Sequence, residues 1–433
     1  MSLLHDLRSA RIVVGRSLRR RRARAAWAAS PARSAEHPGV EALVFFPDPP
    51  VNAYQVRQWY EPMRALSQRH RVAVVTTDPE TAVALEAESP LPVLWHRSVG
   101  ETEEWMDRRR VGVVFYVNQN VTNFRMMRHR RPAHVFVSHG ESDKDYMASN
   151  QLKAYDHTFV AGRAAEERIA GRLVDFDVER HLVRVGRPQV DVPGTGPDLP
   201  DDGRTVVLYA PTWEGDRPSM AYSSLASHGP ALVDALLATG RHRLVYRPHP
   251  RTGVSDPAYA AAHRAVLARV ERAGEQDPGA GHVVDTGSAY GWQLAAADAC
   301  VTDVSAVAFD FLATGKPLVV TAPASPAAVM DPGGLTSLLP PLPAERAGEV
   351  VERIEAETSA DAGRARAAVV ERYFGDTTPG AATARFVEAS SRIIEARLAL
   401  YPAEATPAPD PTDGPDPADA GSDAGPATPG GPR

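Results

Sequence analysis

At 433 residues with 43% hydrophobic side chains, the chain is long enough for two domains with real cores. Its formal net charge of −6 offers no overall footprint for nucleic acid, and its single cysteine, Cys300, excludes both an intramolecular disulfide framework and a cysteine-built zinc cluster. No apolar run approaches bilayer-spanning length and no signal-type apolar stretch opens the chain, so the expected setting is cytoplasmic, at most peripheral on the inner face of the cell membrane.

Residues 1–38 form a basic segment. Residues 1–30 hold eight arginines against one acid, Asp6, and Leu3, Leu4, Leu7, Ile12, Val13, Val14 and Leu18 recur among them at roughly helical spacing. Three readings stay open: an amphipathic helix on an anionic membrane surface, a disordered basic arm, or a helix packed on its own protein. Short apolar runs follow at 42–46, 71–75, 111–116, 134–139, 156–162 and 181–186, with helical spacing over 53–69 and 163–173. Such alternation predicts a parallel sheet covered on both faces, a Rossmann-like domain over 39–192.

The Pro-, Gly- and Asp-rich stretch that follows reads as a linker over 193–204. Alternation resumes with strands expected at 205–213, 242–250, 282–286, 299–305 and 317–321, interleaved with helices, giving a second Rossmann-like domain over 205–378. A last helix over 379–401 is placed to cross back to the first domain. The remaining residues, 402–433, are Pro, Ala, Gly, Asp and Thr without apolar periodicity and predict a disordered tail. The fold class is therefore α/β, with two doubly wound domains facing a cleft. Ligands in such sheets bind off the carboxyl ends of the strands, which gives weight to His139, Trp213, His249 and Ser305.

Two stretches carry chemistry. In "YRPHP" (246–250), prolines stiffen the turn after a strand and aim Arg247 and His249. In "ACVTDVSAVAFDFLATGKP" (299–317), a strand ends at Thr302–Asp303 and Ser305 opens a helix. Asp303 or Ser305 there is either a helix cap or part of a phosphate site, and the two roles are compatible. His139 alone reads equally as a histidine capping a strand. Trp213 either flanks the cleft or fills a core or hinge position.

Together "SHG" (138–140), "VGRPQVD" (185–191), "VLYAPTWEG" (207–215), "YRPHP" and "AADACVTDVSAVAFDFLATGKPLV" (296–319) resemble, in order and approximate spacing, the CDP-glycerol glycerophosphotransferases that make teichoic-acid and related glycerol phosphate polymers. The resemblance implies a GT-B fold, a CDP-glycerol donor held by the C-terminal domain, transfer of glycerol phosphate to a hydroxyl with release of CMP, and peripheral membrane attachment. It implies His139 as general base or acceptor-side residue, with His139 and His249 as the catalytic pair of histidines. His249 and Arg247 would hold the donor diphosphate, with Thr302, Asp303, Ser305, Asp310 and Trp213 as further donor contacts. Partners would be a CDP-activated donor and a polyol phosphate, glycolipid or polymer acceptor, with no nucleic acid. No cofactor is implied, and a divalent metal is not obligatory.

The sequence departs from the family pattern in two places. "HGESDKDY" replaces a Pro-Leu-Lys type run after the HG pair, where an acceptor approaches, and Ala306 stands where a second serine is common. Displacement at phosphorus needs a base for the alcohol and cations for the phosphoryl oxygens, and imidazole, with an ordinary pKa near ~6.5, suits the first task. Two other readings remain open. One is a GT-B glycosyltransferase using a nucleotide-sugar, and the other a membrane-surface scaffold with a degenerate site.

Overall fold

The computed structural model describes residues 3–401 apart from 35, 36, 38, 143, 144, 192, 193, 288, 324 and 329, and it contains every expected strand and one more. The first sheet comprises β1 (Ala42–Phe45), β2 (Val72–Thr76), β3 (Val93–Trp95), β4 (Val113–Tyr116), β5 (Ala133–Phe136), β6 (His157–Val160) and β7 (Leu182–Arg184), in the order β3-β2-β1-β4-β5-β6-β7. The second comprises β8 (Thr205–Ala210), β9 (His242–Tyr246), β10 (Val283–Val284), β11 (Ala299–Thr302) and β12 (Leu318–Val320), in the order β10-β9-β8-β11-β12. All strand pairs are parallel. Helices cover both faces, so the central strands are buried along their whole length, and in the first sheet β1, β2 and β4 read as nearly unbroken apolar runs.

This is the expected two-domain GT-B arrangement. The helix Ala381–Leu398 does cross back: Phe386 is fully buried against Trp59, Phe115 and Phe159 of the first domain, with ring centroids 5.2, 6.0 and 6.0 Å away. The segment expected as a linker is not a loose tether. Arg243, 1% exposed, donates to the carbonyls of Pro200 at 2.5 Å and Ala280 at 2.7 Å and pairs with Asp202 at 2.9 Å, stapling the crossing to the second domain.

Of the three readings of the N-terminus, packing on the protein's own surface holds for the C-terminal half of the continuous helix Leu3–Ala29. Arg20 pairs with Asp78 at 2.6 Å, Arg19 with Glu80 at 3.4 Å, and Trp27 meets Trp95 edge-on at 6.5 Å. Val14 and Leu18 stay more than half exposed. The expected tail, 402–433, lies outside the described residues.

The domains are joined across the cleft by a buried ion pair. Arg187, just after β7, pairs with Asp310 on the helix Ala306–Leu312, and both side chains are at least 95% buried. Burial opposes the guanidinium charge, but Asp310 more than restores it. Beside this pair the domains touch so closely that a Cβ built on Gly140 would lie 2.6 Å from the Ala306 Cβ, which only glycine tolerates.

Replacing Arg187 by Met leaves Asp310 buried without its cation. The unfolding free energy in urea should fall by about 3–5 kcal/mol, whereas Glu61→Gln, at an exposed pair, should cost under ~1 kcal/mol. A second expectation concerns acid. His96, buried beyond β3 against Thr102 Oγ1 at 3.0 Å, is pushed down to about 4 by its burial. Between an unfolded pKa near ~6.5 and about 4 only the unfolded chain takes up this proton. His96 therefore costs nothing above pH ~6.5 and up to about 3 kcal/mol as the pH falls to 4. His96→Asn should flatten that part of the stability profile in denaturant titrations at stepped pH.

Candidate functional site

The loops leaving β5, β8, β9 and β11 converge on one cavity of about 160 Å³ between the domains. His139, Trp213, Arg247, His249 and Ser305 all line it, so the structure brings together five of the eight residues singled out in the sequence. Each is held by a nameable contact.

His139 sits three residues beyond β5 on a constrained loop. Ser138 has a left-handed φ of 57°, a conformation that costs a non-glycine residue roughly 1–3 kcal/mol. The loop is held there from three sides: the Trp59 indole N–H donates to the Ser138 carbonyl, the Ser138 hydroxyl to the Gly140 carbonyl at 2.9 Å, and Arg187 to the His139 carbonyl at 3.2 Å.

On the opposite domain, the backbone N–H of Arg251 donates to His249 Nδ1 at 3.1 Å. With Nδ1 an acceptor, the ring proton resides on Nε2. Trp213 stacks on this imidazole at 6.4 Å, and the Arg251 guanidinium lies 3.6 Å from the Trp213 ring centroid. Arg247 is fixed by an ion pair with Asp285, itself anchored by Gln293, and lies over the Tyr290 ring at 5.6 Å. Ser305 caps the helix Ala306–Leu312 by position, its Oγ 3.4 Å from Thr302 Oγ1.

Three residues expected as donor contacts stand behind the cavity wall and not in it. Thr302 donates its hydroxyl to the Ala210 carbonyl at 2.7 Å. Asp303, fully buried, accepts from the Thr212 and Ser224 N–H groups at 2.7 and 3.1 Å and from Thr321 Oγ1 at 2.7 Å. Burial raises the Asp303 pKa in spite of these bonds. Asp310 is spent on Arg187 and on the Tyr290 hydroxyl. None of the three lines the cavity; they brace the loops that do.

Sequence reading missed the residues that tie the cleft together. Tyr54, on the short helix Tyr54–Arg57, presents its ring edge-on to His139 at 6.0 Å and to His249 at 5.5 Å, so one side chain spans both domains. Glu214 accepts the N–H groups of Gly253, Ser255 and Asp256 at 3.0, 2.8 and 3.2 Å. Partial burial pushes its carboxyl up, but these backbone donors outweigh burial and hold it below its ordinary value. The "TWEG" motif was the available signal for Glu214; nothing in the sequence around Tyr54 separates it from an ordinary helix residue. Among the described residues, no group of three or more His, Cys, Asp or Glu side chains is placed to hold a metal ion, and no helix is long and apolar enough to cross a membrane.

The CDP-glycerol:poly(glycerophosphate) glycerophosphotransferase family model matches residues 116–389, a stretch that contains both histidines, Arg247 and Ser305. The chain belongs to this family. No curated protein sequence matches this glycerophosphotransferase-family chain. Its fold is similar to the wall teichoic acid polymerase TagF in a substituted form soaked with CDPG, at 16% identity and a TM-score of 0.54 over 92% of this chain and all of that one. It is also similar to a Listeria monocytogenes structure described as a UDP-N-acetylglucosamine 2-epimerase, at 15% identity and 0.56 over 83% and 97%. A third likeness is the S. aureus MnaA–UDP structure, at 12% identity and 0.51 over 82% and 97%. At these identities the likenesses establish the fold of the glycerophosphotransferase-family chain, not its substrate.

Removing the Glu214 carboxylate by Glu214→Ala leaves three backbone N–H groups without their charged acceptor. A loss of about 2–3 kcal/mol is expected, read as faster amide exchange confined to residues 250–256.

Proposed function

We propose that this protein transfers glycerol phosphate, or a related polyol phosphate, from a CDP-activated donor to an acceptor hydroxyl and releases CMP. The observation that carries the reading is the pair of histidines, one from each domain, both in T-shaped contact with the Tyr54 ring in a cleft that also holds Arg247. The acceptor oxygen attacks the phosphorus that bears the glycerol. The bond from that phosphorus to the bridging oxygen breaks, and CMP leaves with the electron pair.

His139 takes the proton of the alcohol, and the Arg247 guanidinium and His249 Nε2–H meet the charge on the departing phosphate. Ser305 offers a hydroxyl on the donor side, and Trp213 a ring wall. A polyol phosphate, glycolipid or polymer acceptor would enter beside His139, where Glu141 and Ser142 border the cleft. Family membership supports the reaction class. With no described helix crossing a membrane, an acceptor carried by lipid would be reached from the membrane surface.

The test is calorimetric titration with CDP-glycerol, CMP, UDP-glucose and UDP. Binding confined to the cytidine ligands and lost in His249→Ala supports the proposal. Preference for the uridine ligands would replace it with a nucleotide-sugar glycosyltransferase, and no binding at all would favour a scaffold. His139→Ala should lower turnover at least ~10²-fold with CDP-glycerol affinity nearly unchanged, whereas Arg247→Ala should weaken donor binding as well.

A further inference from the structure

The edge of the first sheet that faces away from the cleft carries an arginine-lined basin. Arg71 directly precedes β2, Arg108, Arg109 and Arg110 lead into β4, and Arg131 precedes β5; with Leu398 and Tyr401 they line an open cavity of about 730 Å³. In a parallel sheet these are all amino ends of strands, so the full length of the strands separates the basin from His139.

Several arginines elsewhere on the surface face a carboxylate, as Arg57, Arg241 and Arg269 do. Arg71, Arg108, Arg110 and Arg131 have no carboxylate partner among the described residues. Arg71 gives its Nε to the Gly39 carbonyl at 2.5 Å and Arg110 a terminal nitrogen to the Leu398 carbonyl at 2.9 Å. Arg110 and Arg131 lie 5.8 and 5.7 Å from the Tyr401 ring centroid, and Arg109 stacks on Trp105 at 4.2 Å. Two carboxylates reach the rim and both are engaged. Glu41 accepts the Arg71 backbone N–H at 3.1 Å and faces His70 at 3.5 Å, and Asp107 faces His129 at 3.5 Å. Among the described residues the lining sets five guanidiniums, four of them without a carboxylate partner, against two carboxylates, which makes the basin net positive.

We propose that this basin docks the acidic C-terminal segment of the same chain, residues 404–423. The last helix ends at Leu398 and the chain reaches Tyr401, both of which line the basin, so the next residues begin at the rim. Residues 402–433 carry Glu404, Asp410, Asp413, Asp416, Asp419 and Asp423 against Arg433 alone. Four of these aspartates recur at every third position, among Pro409, Pro411, Pro415 and Pro417. Three residues make one turn of the extended helix that proline favours, which lines such carboxylates along one edge about 9 Å apart. That spacing suits guanidiniums supplied by separate loops. The nine residues from Tyr401 to Asp410 reach roughly 30 Å when extended, and tethering raises the local concentration of the segment to the millimolar range.

The full-length chain with spin labels at Gln68→Cys, beside Arg71, and Ala418→Cys tests this by pulsed electron paramagnetic resonance, Cys300 being buried and unreactive. In about 0.05 M salt the distance distribution should be short and narrow. It should broaden and lengthen when Asp410, Asp413, Asp416 and Asp419 are all changed to Asn, substitutions beyond the last helix that leave the packed domains intact. The same broadening should follow Arg108→Gln with Arg131→Gln, added inorganic tripolyphosphate, and about 0.5 M salt, where screening shortens to a few ångströms. A broad distribution in the unaltered chain, or a narrow one that none of these changes moves, overturns the proposal. Enzymatic turnover is not read, so the result is independent of the assignment of the cleft.

Discussion

A guanidinium and a carboxylate with almost no solvent around them, Arg187 and Asp310, set the relation between the two domains on which the cleft depends. The same guanidinium reaches the His139 carbonyl, and the same carboxylate receives the Tyr290 hydroxyl. Tyr290 in turn lies under Arg247. One interaction therefore fixes the loop of the expected base and the floor under the expected donor-binding arginine. A buried pair of this kind adds little net stability, since desolvation offsets most of the attraction, but breaking it is costly. Its effect is to make one relative placement of the domains far better than its neighbours.

Around that joint, carboxylates anchor backbone N–H groups or a guanidinium. Asp303 holds the Thr212 loop, Glu214 holds the loop after His249, and Asp285 holds Arg247. Each spends its charge on N–H groups or a cation within the protein, and so fixes a neighbour that faces the cleft. Tyr54 touches both histidines, and its contact with His249 exists only when the domains are together.

The sheets were legible because strands covered on both faces must be apolar throughout, which leaves runs such as "ALVFF" in plain view. β3, with three residues between prolines and polar loop, is too short to show a pattern. His139, Arg247 and His249 were legible because they stand just past strand ends, where α/β sheets bind ligands. Asp303 was read as a donor contact because a carboxylate at a strand-to-helix junction has the same spacing whether it faces a ligand or turns inward to bond protein groups, and Asp310, inside the following helix, was read so only through the family resemblance. Tyr54 and the arginine basin are products of tertiary structure. Their members come from segments far apart in the chain, and no local spacing announces them.

The chain passes between the domains twice, and the two passages differ in kind. At 194–204 it is stapled by Arg243 through Pro200 and Asp202, so its torsions are committed to the second domain. At 375–380 it is bracketed by Gly375 and Gly380, both with positive φ and with open space where a side chain would stand. Those glycines let the second passage turn where a side chain would be strained by its backbone and not by its neighbours. The reversal lets Phe374 stay in the core of the second domain while Phe386, twelve residues on, is laid into the core of the first.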